Sequence, residues 1–347
     1  MKILLLLLII ISTQLYSTQL KNIVIISTGG GISTRTVDSV NAKVREGFLT
    51  VEGLVSLVPQ INRIANVKTM ELFSRSSQNI NNESLLKIAS KVQEMINDSS
   101  VDGVVVTHGT DTLEETAYFL NLVIRTKKPI VVTGATRSSN QISSDAALNL
   151  FNSTLVASST KSAGQGVLVV LNNKILSARG TQKIATNGID SVFANGLSLL
   201  GYAFNKTVEF YNATLKKHTY SSEFNLKNDT VLPNVKILYA HQNIDGTMVK
   251  AFLNKGVDGV VIAGVGNGNI SDSALTILKK AVENEIVVVK SSRTGNGIIL
   301  SNTEVDDKKI GFVTANNLSP QQARILLMVA MLKTKKSGRL QQFFNTY

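Results

Sequence analysis

Residues 103–120, GVVVTHGTDTLEETAYFL, decide the fold class that this chain is expected to adopt. The run Gly103–Thr107 is short and rich in valine, which is typical of a strand buried on both faces. A polar turn follows, and Thr112 with Glu115 has the spacing of a capping box, which predicts a helix over residues 113–126. A buried strand that leads directly into a helix is the repeating unit of a parallel α/β sheet.

The same alternation of strand and helix continues on both sides of this stretch. Short apolar runs predict further strands at 22–26, 129–133, 167–170, 235–239, 259–263 and 285–289. Helical patterns cover residues 82–98, 145–157, 246–255, 271–284 and 319–334. We therefore expect an α/β fold with a larger N-terminal domain, whose mostly parallel sheet has helices on both faces, and a smaller C-terminal α/β domain.

Residues 212–231, NATLKKHTYSSEFNLKNDTV, interrupt this alternation because they are polar and show little periodicity. We predict that they form a linker. The N-terminal domain would then cover residues 18–211, and the C-terminal domain would cover residues 232–347.

The first 17 residues have the order of features found in a secretory signal peptide. Lys2 precedes an apolar run from Ile3 to Ile11, which is too short to cross a bilayer, and small polar residues follow. We expect cleavage after Ser17 and a periplasmic or secreted protein that is not membrane-bound once the signal is removed. A buried N-terminal strand is the alternative.

The composition excludes several kinds of chemistry. The chain has no cysteine, so it has no disulfide, thiolate metal site or cysteine nucleophile. Its three histidines, His108, His218 and His241, lack any metal-binding spacing, and we expect no metal. The formal net charge of +12 would suit an anionic partner, but the lysines are scattered and tryptophan is absent. Solvated surface lysines are therefore favoured over nucleic-acid binding.

Three polar segments directly follow predicted strands: STGGG at 27–31, THGTD at 107–111 and TGATR at 133–137. Because the carboxyl ends of parallel strands share one edge of a sheet, these segments should line one site. Thr110 and Asp111 precede a helix, whose N-terminus favours developing negative charge. A threonine nucleophile would need a base such as a lysine, and simple helix capping is the alternative. The glycines of STGGG lack the spacing of a nucleotide-binding loop.

In combination, several stretches resemble the type II, exported bacterial L-asparaginases and glutaminase-asparaginases. The likeness covers nearly the whole chain, from about Asn22 to Tyr347. It is carried by THGTDTLEETAYFL at 107–120, GVLVVLNN at 166–173, AGVGNGN at 263–269, SSR at 291–293, TEVDD at 303–307 and LSPQQARILLM at 318–328. The resemblance implies an amidohydrolase that releases ammonia from L-asparagine, with L-glutamine as a second candidate substrate, without metal or cofactor.

The resemblance also implies roles for particular residues. The catalytic set of the family maps onto Thr110, Asp111 and Lys183. Contacts to the α-carboxylate and α-amino groups of the substrate fall on Ser77, Gln78, Gly109 and Asp111. A neighbouring subunit would complete each site with Asn269 and Glu304. The family assembles as a homotetramer of two intimate dimers, so the resemblance implies the same assembly for this chain.

The chain departs from the family at the end of the first strand. The family signature TGGTIA supplies a nucleophilic threonine, and the matching run TGGGIS at 28–33 has Gly31 at that position. A loop tyrosine that pairs with this threonine would fall on Val44. These degenerate positions leave two hypotheses open. The first is an impaired amidohydrolase, which works with Thr110 or recruits Ser33 or Thr34. The second is a catalytically inactive relative that binds amino acids or has a structural role.

Overall fold

The computed structural model describes residues 19–40, 45–189 and 198–347. The predicted signal peptide, residues 1–17, and Val44 lie outside the described residues. Within the described ranges, no helix is both long and apolar enough to cross a membrane.

The larger domain is built on an eight-stranded sheet. The strands of this domain, in chain order, are β1 (Lys21–Gly29), β2 (Thr34–Thr36), β3 (Arg45–Phe48), β4 (Ala65–Arg75), β5 (Gly103–Thr107), β6 (Ile130–Thr133), β7 (Val167–Leu171), β8 (Lys174–Ser177), β9 (Leu199–Phe204) and β10 (Thr207–Phe210). The sheet order is β10-β9-β8-β7-β6-β5-β1-β4, while β2 and β3 form a separate antiparallel pair. Five neighbouring strands of this sheet, β7, β6, β5, β1 and β4, are parallel to one another. Strands β8, β9 and β10 continue the sheet, and each is antiparallel to the strand before it.

Helices pack on both faces of this sheet. They are α1 (Val51–Ser56), α2 (Asn82–Asn97), α3 (Leu113–Val123) and α4 (Ala146–Ser158). Successive side chains of a strand point to opposite faces, so the unbroken apolar run of β1 serves two cores. Val24 and Ile26 belong to the core formed with α2 and α3. Ile23 and Ile25 belong to the core formed with α1 and α4.

The smaller domain repeats this architecture on a four-stranded parallel sheet. Its elements are β11 (Val235–Tyr239), α5 (Thr247–Asn254), β12 (Gly259–Gly264), α6 (Asp272–Glu283), β13 (Val287–Ser292), α7 (Asp307–Ile310), β14 (Val313–Thr314), α8 (Pro320–Met331) and α9 (Ser337–Thr346). The sheet order follows the chain order, β11-β12-β13-β14. The predicted fold class, two α/β domains of unequal size, is confirmed.

The two domains meet along α3 and α8, which contribute to one shared apolar core. At the edge of this contact, Arg324 Nη1 of α8 lies 3.2 Å from Glu115 Oε2 of α3. Both side chains are largely buried, so the pair fixes the direction in which the two helices cross. The position of α8 relative to α3 becomes important for the site described below.

The segment 212–231 contacts the C-terminal helix through Phe224. Phe224 is fully buried, with its ring centroid 5.0 Å from Phe343 and 4.7 Å from Tyr347. Apart from a 3₁₀ turn at Thr219–Ser221, these residues form no helix or strand. The limits of the two domains on either side of this segment remain a prediction.

The structure differs from the sequence prediction at several elements. The sequence analysis did not predict β2, β3, β4, β8, β9, β10, β14, α1, α7 and α9. In α9 the signal was present, because the buried residues Leu340, Phe343 and Phe344 have helical spacing. The predicted capping box at Thr112 is wrong. Thr112 Oγ1 donates a hydrogen bond to the carbonyl oxygen of Ser77 at 2.9 Å, and Glu115 is used in the ion pair with Arg324.

Candidate active site

A pocket of about 460 Å³ lies at the carboxyl ends of β1, β5 and β6. The three predicted polar segments meet there, as the topology of a parallel sheet requires. The lining comes from Gly30 and Gly31 after β1, from residues 109–111 after β5 and from residues 135–137 after β6. Residues 76–78 after β4 and the segment that contains Lys183 close its sides.

Lys183 reaches Thr110 across this pocket although 73 residues separate them in the chain. Its Nζ atom donates hydrogen bonds to Thr110 Oγ1 at 3.1 Å and to Asp111 Oδ1 at 2.6 Å. Thr110 is only 8% exposed, whereas more than half of the Asp111 side chain is open to solvent. The three residues of the implied catalytic set are therefore in direct contact, with the lysine amine between a buried hydroxyl and a carboxylate.

Ser77, Gln78 and Gly109 also line the pocket. Ser77 is buried and packs so tightly on Gly109 that a Cβ atom at position 109 would lie 2.6 Å from Ser77 Oγ. Glycine is thus required at position 109. The Thr112 hydroxyl also contacts this turn, because it donates a hydrogen bond to the carbonyl oxygen of Ser77. This packing fixes the Ser77 hydroxyl beside Gly109 in the pocket lining, where a small polar ligand could accept a hydrogen bond from it.

Asn269 and Glu304 lie elsewhere in the same chain. They line a separate cavity of about 120 Å³ in the smaller domain, and Asn269 Nδ2 donates to Glu304 Oε1 at 3.3 Å. The fold therefore places these two residues together but not beside Thr110. A contribution to the pocket would have to come from a second subunit, as the resemblance implies.

Gly31 lines the pocket opposite the threonine, in the 3₁₀ turn Gly31–Ser33. A Cβ atom built on Gly31 would lie 2.7 Å from the carbonyl oxygen of Ala135, so any side chain at this position requires a shift of the loop after β6. The hydroxyls of Ser33 and Thr34 are buried and donate to the carbonyl oxygen of Gly30 at 3.3 and 2.8 Å. Neither residue lines the pocket, so neither is placed to substitute for the missing hydroxyl.

Thr136 and Arg137 of the predicted segment TGATR line the pocket, and so do three residues that the sequence analysis did not name: Gln141, Thr186 and Asn187. The loop after β6 is organised by Asp145, whose carboxylate accepts hydrogen bonds from the backbone N–H groups of Thr136 and Arg137 at 3.0 and 2.9 Å. An aspartate at the start of the predicted helix 145–157, together with a position at a strand end, is the signal that could have indicated the role of this loop.

His108 is a structural residue, in agreement with its position beside a buried strand. Its Nδ1–H donates to the carbonyl oxygen of Gly109 at 2.8 Å, which leaves Nε2 to accept from Thr116 Oγ1 at 2.9 Å. Complete burial lowers the pKa of the imidazole to about 4, so the ring is neutral near pH 7. It therefore orients the Gly109 backbone and is not available as a base at the pocket.

Glu114, in the first turn of α3, is a buried acid close to the Lys183 segment. The residue is 4% exposed, and burial raises the pKa of its carboxyl to about 8. Its own backbone N–H lowers that pKa, the Glu115 charge raises it, and the backbone N–H of Lys183 lowers it. Among the described residues, Oε2 has no hydrogen-bond partner. The neutral acid is consequently the favoured form at neutral pH.

Metal-binding residues do not cluster in the part of the chain that the structure describes. Residues 19–40, 45–189 and 198–347 contain no group of three or more His, Asp or Glu side chains that could hold a metal ion.

Two parallel-sheet domains and a polar pocket at the strand ends define a two-domain α/β protein with an enzyme-like site. The chain belongs to the asparaginase family. Residues 22–216 match the family model for the asparaginase N-terminal domain, and residues 234–344 match the model for the glutaminase/asparaginase C-terminal domain. The family resemblance proposed from the motifs is confirmed.

Similar proteins align with almost the whole chain. The chain is 41% identical over 331 residues to the probable periplasmic L-asparaginase of Haemophilus influenzae, covering 95% of this chain and 94% of that protein. It is 40% identical over 329 residues to L-asparaginase 2 of Bacillus subtilis, covering 94% of this chain and 87% of that protein. It is also 40% identical over 332 residues to the glutaminase-asparaginase of Pseudomonas fluorescens biotype A, covering 95% of this chain and 91% of that protein.

Proposed function

We propose that this protein hydrolyses the side-chain amide of L-asparagine to L-aspartate and ammonia, with L-glutamine as a second candidate substrate. The observation that carries the proposal is the 3.1 Å hydrogen bond between Lys183 Nζ and Thr110 Oγ1 in the pocket of an asparaginase-family protein. A hydroxyl becomes a useful nucleophile when an adjacent base accepts its proton.

The reaction would proceed in two balanced steps. In the first, the Thr110 hydroxyl attacks the amide carbon while its proton passes to the neutral amine of Lys183. The C–N bond then breaks, and the leaving nitrogen takes this proton to depart as ammonia. In the second step, water hydrolyses the resulting ester, which releases the acid and restores the Thr110 hydroxyl. Asp111, 2.6 Å from Lys183 Nζ, would stabilise the positive charge that forms on the amine.

Substrate binding would use the residues around this pair. We assign Ser77, Gln78, Gly109 and Asp111 to the α-carboxylate and α-amino groups, which agrees with their places in the pocket lining. Asn269 and Glu304 would complete the pocket of a neighbouring subunit within a homotetramer of two intimate dimers. Because each chain would lack one part of its own site, dimerisation would be required for activity. An exported, periplasmic location is proposed from the predicted signal peptide and agrees with the name of the Haemophilus influenzae relative.

Turnover is expected to be impaired because glycine stands where the family has a nucleophilic threonine. The loss of a nucleophilic hydroxyl typically lowers kcat by several orders of magnitude, and the members of such a set act as a unit. Val44, at the position of the partner tyrosine, would add to the loss. The second candidate function is a non-catalytic amino-acid-binding protein. The close approach of the Ala135 carbonyl oxygen to Gly31 favours it, since no hydroxyl fits on that side of the pocket.

The direct test is ammonia release by purified residues 18–347 with L-asparagine and with L-glutamine, in the wild type and in Thr110→Val. We expect weak wild-type turnover that Thr110→Val abolishes. Thr276→Val is the matched control, because that hydroxyl donates to Asp272 within its own helix and lies outside the pocket. Unchanged activity in Thr110→Val would contradict the proposed nucleophile. Absence of wild-type turnover together with L-aspartate binding, measured by calorimetry, would favour the binding protein.

A further inference from the structure

The turn that precedes Lys183 is held by one buried side chain of the smaller domain, that of Gln322. Gln322 lies in the first turn of α8 and is 1% exposed. Its Nε2 atom donates to the carbonyl oxygens of Ala178 at 2.8 Å and Thr181 at 3.0 Å. Its Oε1 atom accepts from the backbone N–H of Gly180 at 3.0 Å. The side-chain amide of Gln322 thus forms three hydrogen bonds, two as donor and one as acceptor, to the backbone of a single turn, residues 178–181.

This turn lies outside regular secondary structure, and the Ser177 hydroxyl donates to the carbonyl oxygen of Arg179 within it at 2.6 Å. Residues 178–189 form no helix or strand, and Gly180 has a left-handed conformation with φ 83°. Within the turn, the Thr181 hydroxyl donates to the carbonyl oxygen of Ser177 at 2.6 Å. Lys183 follows two residues later, and its amine must meet Thr110 Oγ1 at hydrogen-bond distance. The bonds from Gln322 are therefore a main constraint on where the lysine segment begins.

Arg179 links the same turn to the C-terminal part of the chain a second time. Its Nη2 atom donates to Asn317 Oδ1 at 2.7 Å, and its Nε atom donates to the carbonyl oxygen of Tyr347 at 3.0 Å. A second residue of α8 also contacts the larger domain, because Arg324 pairs with Glu115 of α3. The helix that carries Gln322 is thus fixed against the helix that begins after Thr110.

We propose that Gln322 is a positioning residue through which the smaller domain sets Lys183 against Thr110. The inference rests on the proposed function, because it gives Gln322 a role in turnover only if Lys183 is the base. A displacement of about 1 Å at a reacting group lowers the rate by about 100-fold. Loss of the three hydrogen bonds would leave the turn held by Arg179 and Thr181, and we expect a displacement of this size at Lys183.

The test compares Gln322→Met, which keeps the length of the side chain, with Gln321→Met as the matched control on the same helix turn. For Gln322→Met we expect kcat to fall about 10- to 100-fold, while KM for L-asparagine stays within about twofold. In a crystal structure of the variant, we expect Lys183 Nζ to lie outside hydrogen-bond distance of Thr110 Oγ1. A double variant with Lys183→Met should be no less active than Lys183→Met alone, because Gln322 acts through the lysine.

Three results separate the inference from the proposed function. Full activity in Lys183→Met would contradict the proposed function. Loss of activity in Lys183→Met with an unchanged kcat in Gln322→Met would overturn the inference alone. An unchanged Nζ–Oγ1 distance near 3.1 Å in the Gln322→Met structure would also overturn it, whatever the activity. If Gln322→Met does not fold, Gln322→Glu replaces it, since that variant retains the acceptor for Gly180 and removes the two donors.

Discussion

The two sides of the pocket begin from equivalent strand ends but differ in what they present to a ligand. On the threonine side, Thr110 and Asp111 follow β5 and are joined by Lys183, so a hydroxyl, a carboxylate and an amine contact one another. On the glycine side, Gly30 and Gly31 follow β1, and the space that a side chain would occupy is taken by the carbonyl oxygen of Ala135.

This difference shows that a degenerate position need not leave an empty space. The sheet still delivers both loops to the same edge, because β1 and β5 are adjacent parallel strands in register from Ile23 with Gly103 to Ser27 with Thr107. The backbone of the loop after β6, fixed by Asp145, packs on Gly31. The pocket is thus lined by backbone atoms on the glycine side and by polar side chains on the threonine side.

The largest expected effect concerns the amine on the threonine side. Lys183→Met keeps the bulk of the side chain but removes the proton acceptor, so ammonia release should fall by about 10³-fold or to background. Lys87→Met is the control, because Lys87 is an exposed lysine of α2 paired only with Glu83 at 2.7 Å. Retention of activity within about tenfold would mean that Lys183 is not the base on the threonine side.

A mixing experiment tests whether the threonine side is completed by another chain. Thr110→Val and Glu304→Gln should each be nearly inactive, because each variant breaks every site of its own homodimer. When the two are co-expressed, half of the dimers are mixed, and one of the two sites in each mixed dimer is intact. About a quarter of wild-type ammonia release should therefore return. Absence of recovery in mixed dimers isolated by two affinity tags would show that the sites are not shared.

The sequence predicted the parts of the site that depend on local order. Strand, polar turn and helix around Thr110 follow one another in the chain, and the topology of a parallel sheet then places the strand ends together. Lys183, 73 residues from Thr110, was assigned from the family resemblance, because no local pattern marks a lysine in an irregular segment.

Other features depend on backbone atoms that have no sequence signature. The Ala135 carbonyl oxygen at Gly31 and the three bonds of Gln322 to a turn could not be read from residue types, since any residue supplies the same carbonyl group. The failed capping box has the same cause. The Thr112 hydroxyl could form a hydrogen bond within its own helix or with the Ser77 carbonyl oxygen. The tertiary structure brings the Ser77 carbonyl oxygen within reach, and the hydroxyl donates to it.

The pH dependence of stability should reveal the buried acid beside the threonine side. The Glu114 carboxyl has an ordinary pKa of 4.5 in the unfolded chain and about 8 in the folded protein. Between these values the native state binds the extra proton, so this group loses its stabilising contribution as the pH rises from 4.5 to 8. Each pKa unit corresponds to about 1.4 kcal/mol, so the total is several kcal/mol.

Glu114→Gln removes this titration without a large change in shape. In urea unfolding at a series of pH values, the variant should gain stability relative to the wild type between pH 4.5 and 8. The charged neighbours Glu115 and Lys183 are unchanged in both proteins. Glu283→Gln is the control, because Glu283 is an exposed glutamate at the end of α6, away from Glu114. Parallel stability curves for wild type and Glu114→Gln would contradict a raised pKa at this position.

The smallest predicted effect tests the glycine side directly. Gly31→Ala adds only a Cβ atom, which would lie 2.7 Å from the carbonyl oxygen of Ala135 and force the loop after β6 to move. Overpacking of this kind lowers the free energy of unfolding by about 1–3 kcal/mol. Gly338→Ala is the matched control, since Gly338 lies in α9 with no atom within 4 Å of a Cβ, and that substitution should stabilise the helix by about 0.5–1 kcal/mol. Gly31→Thr should be destabilised like Gly31→Ala and gain no turnover. If it instead raised ammonia release at no cost in stability, the loop would be free to adapt, and the single missing hydroxyl would account for the whole difference between the two sides.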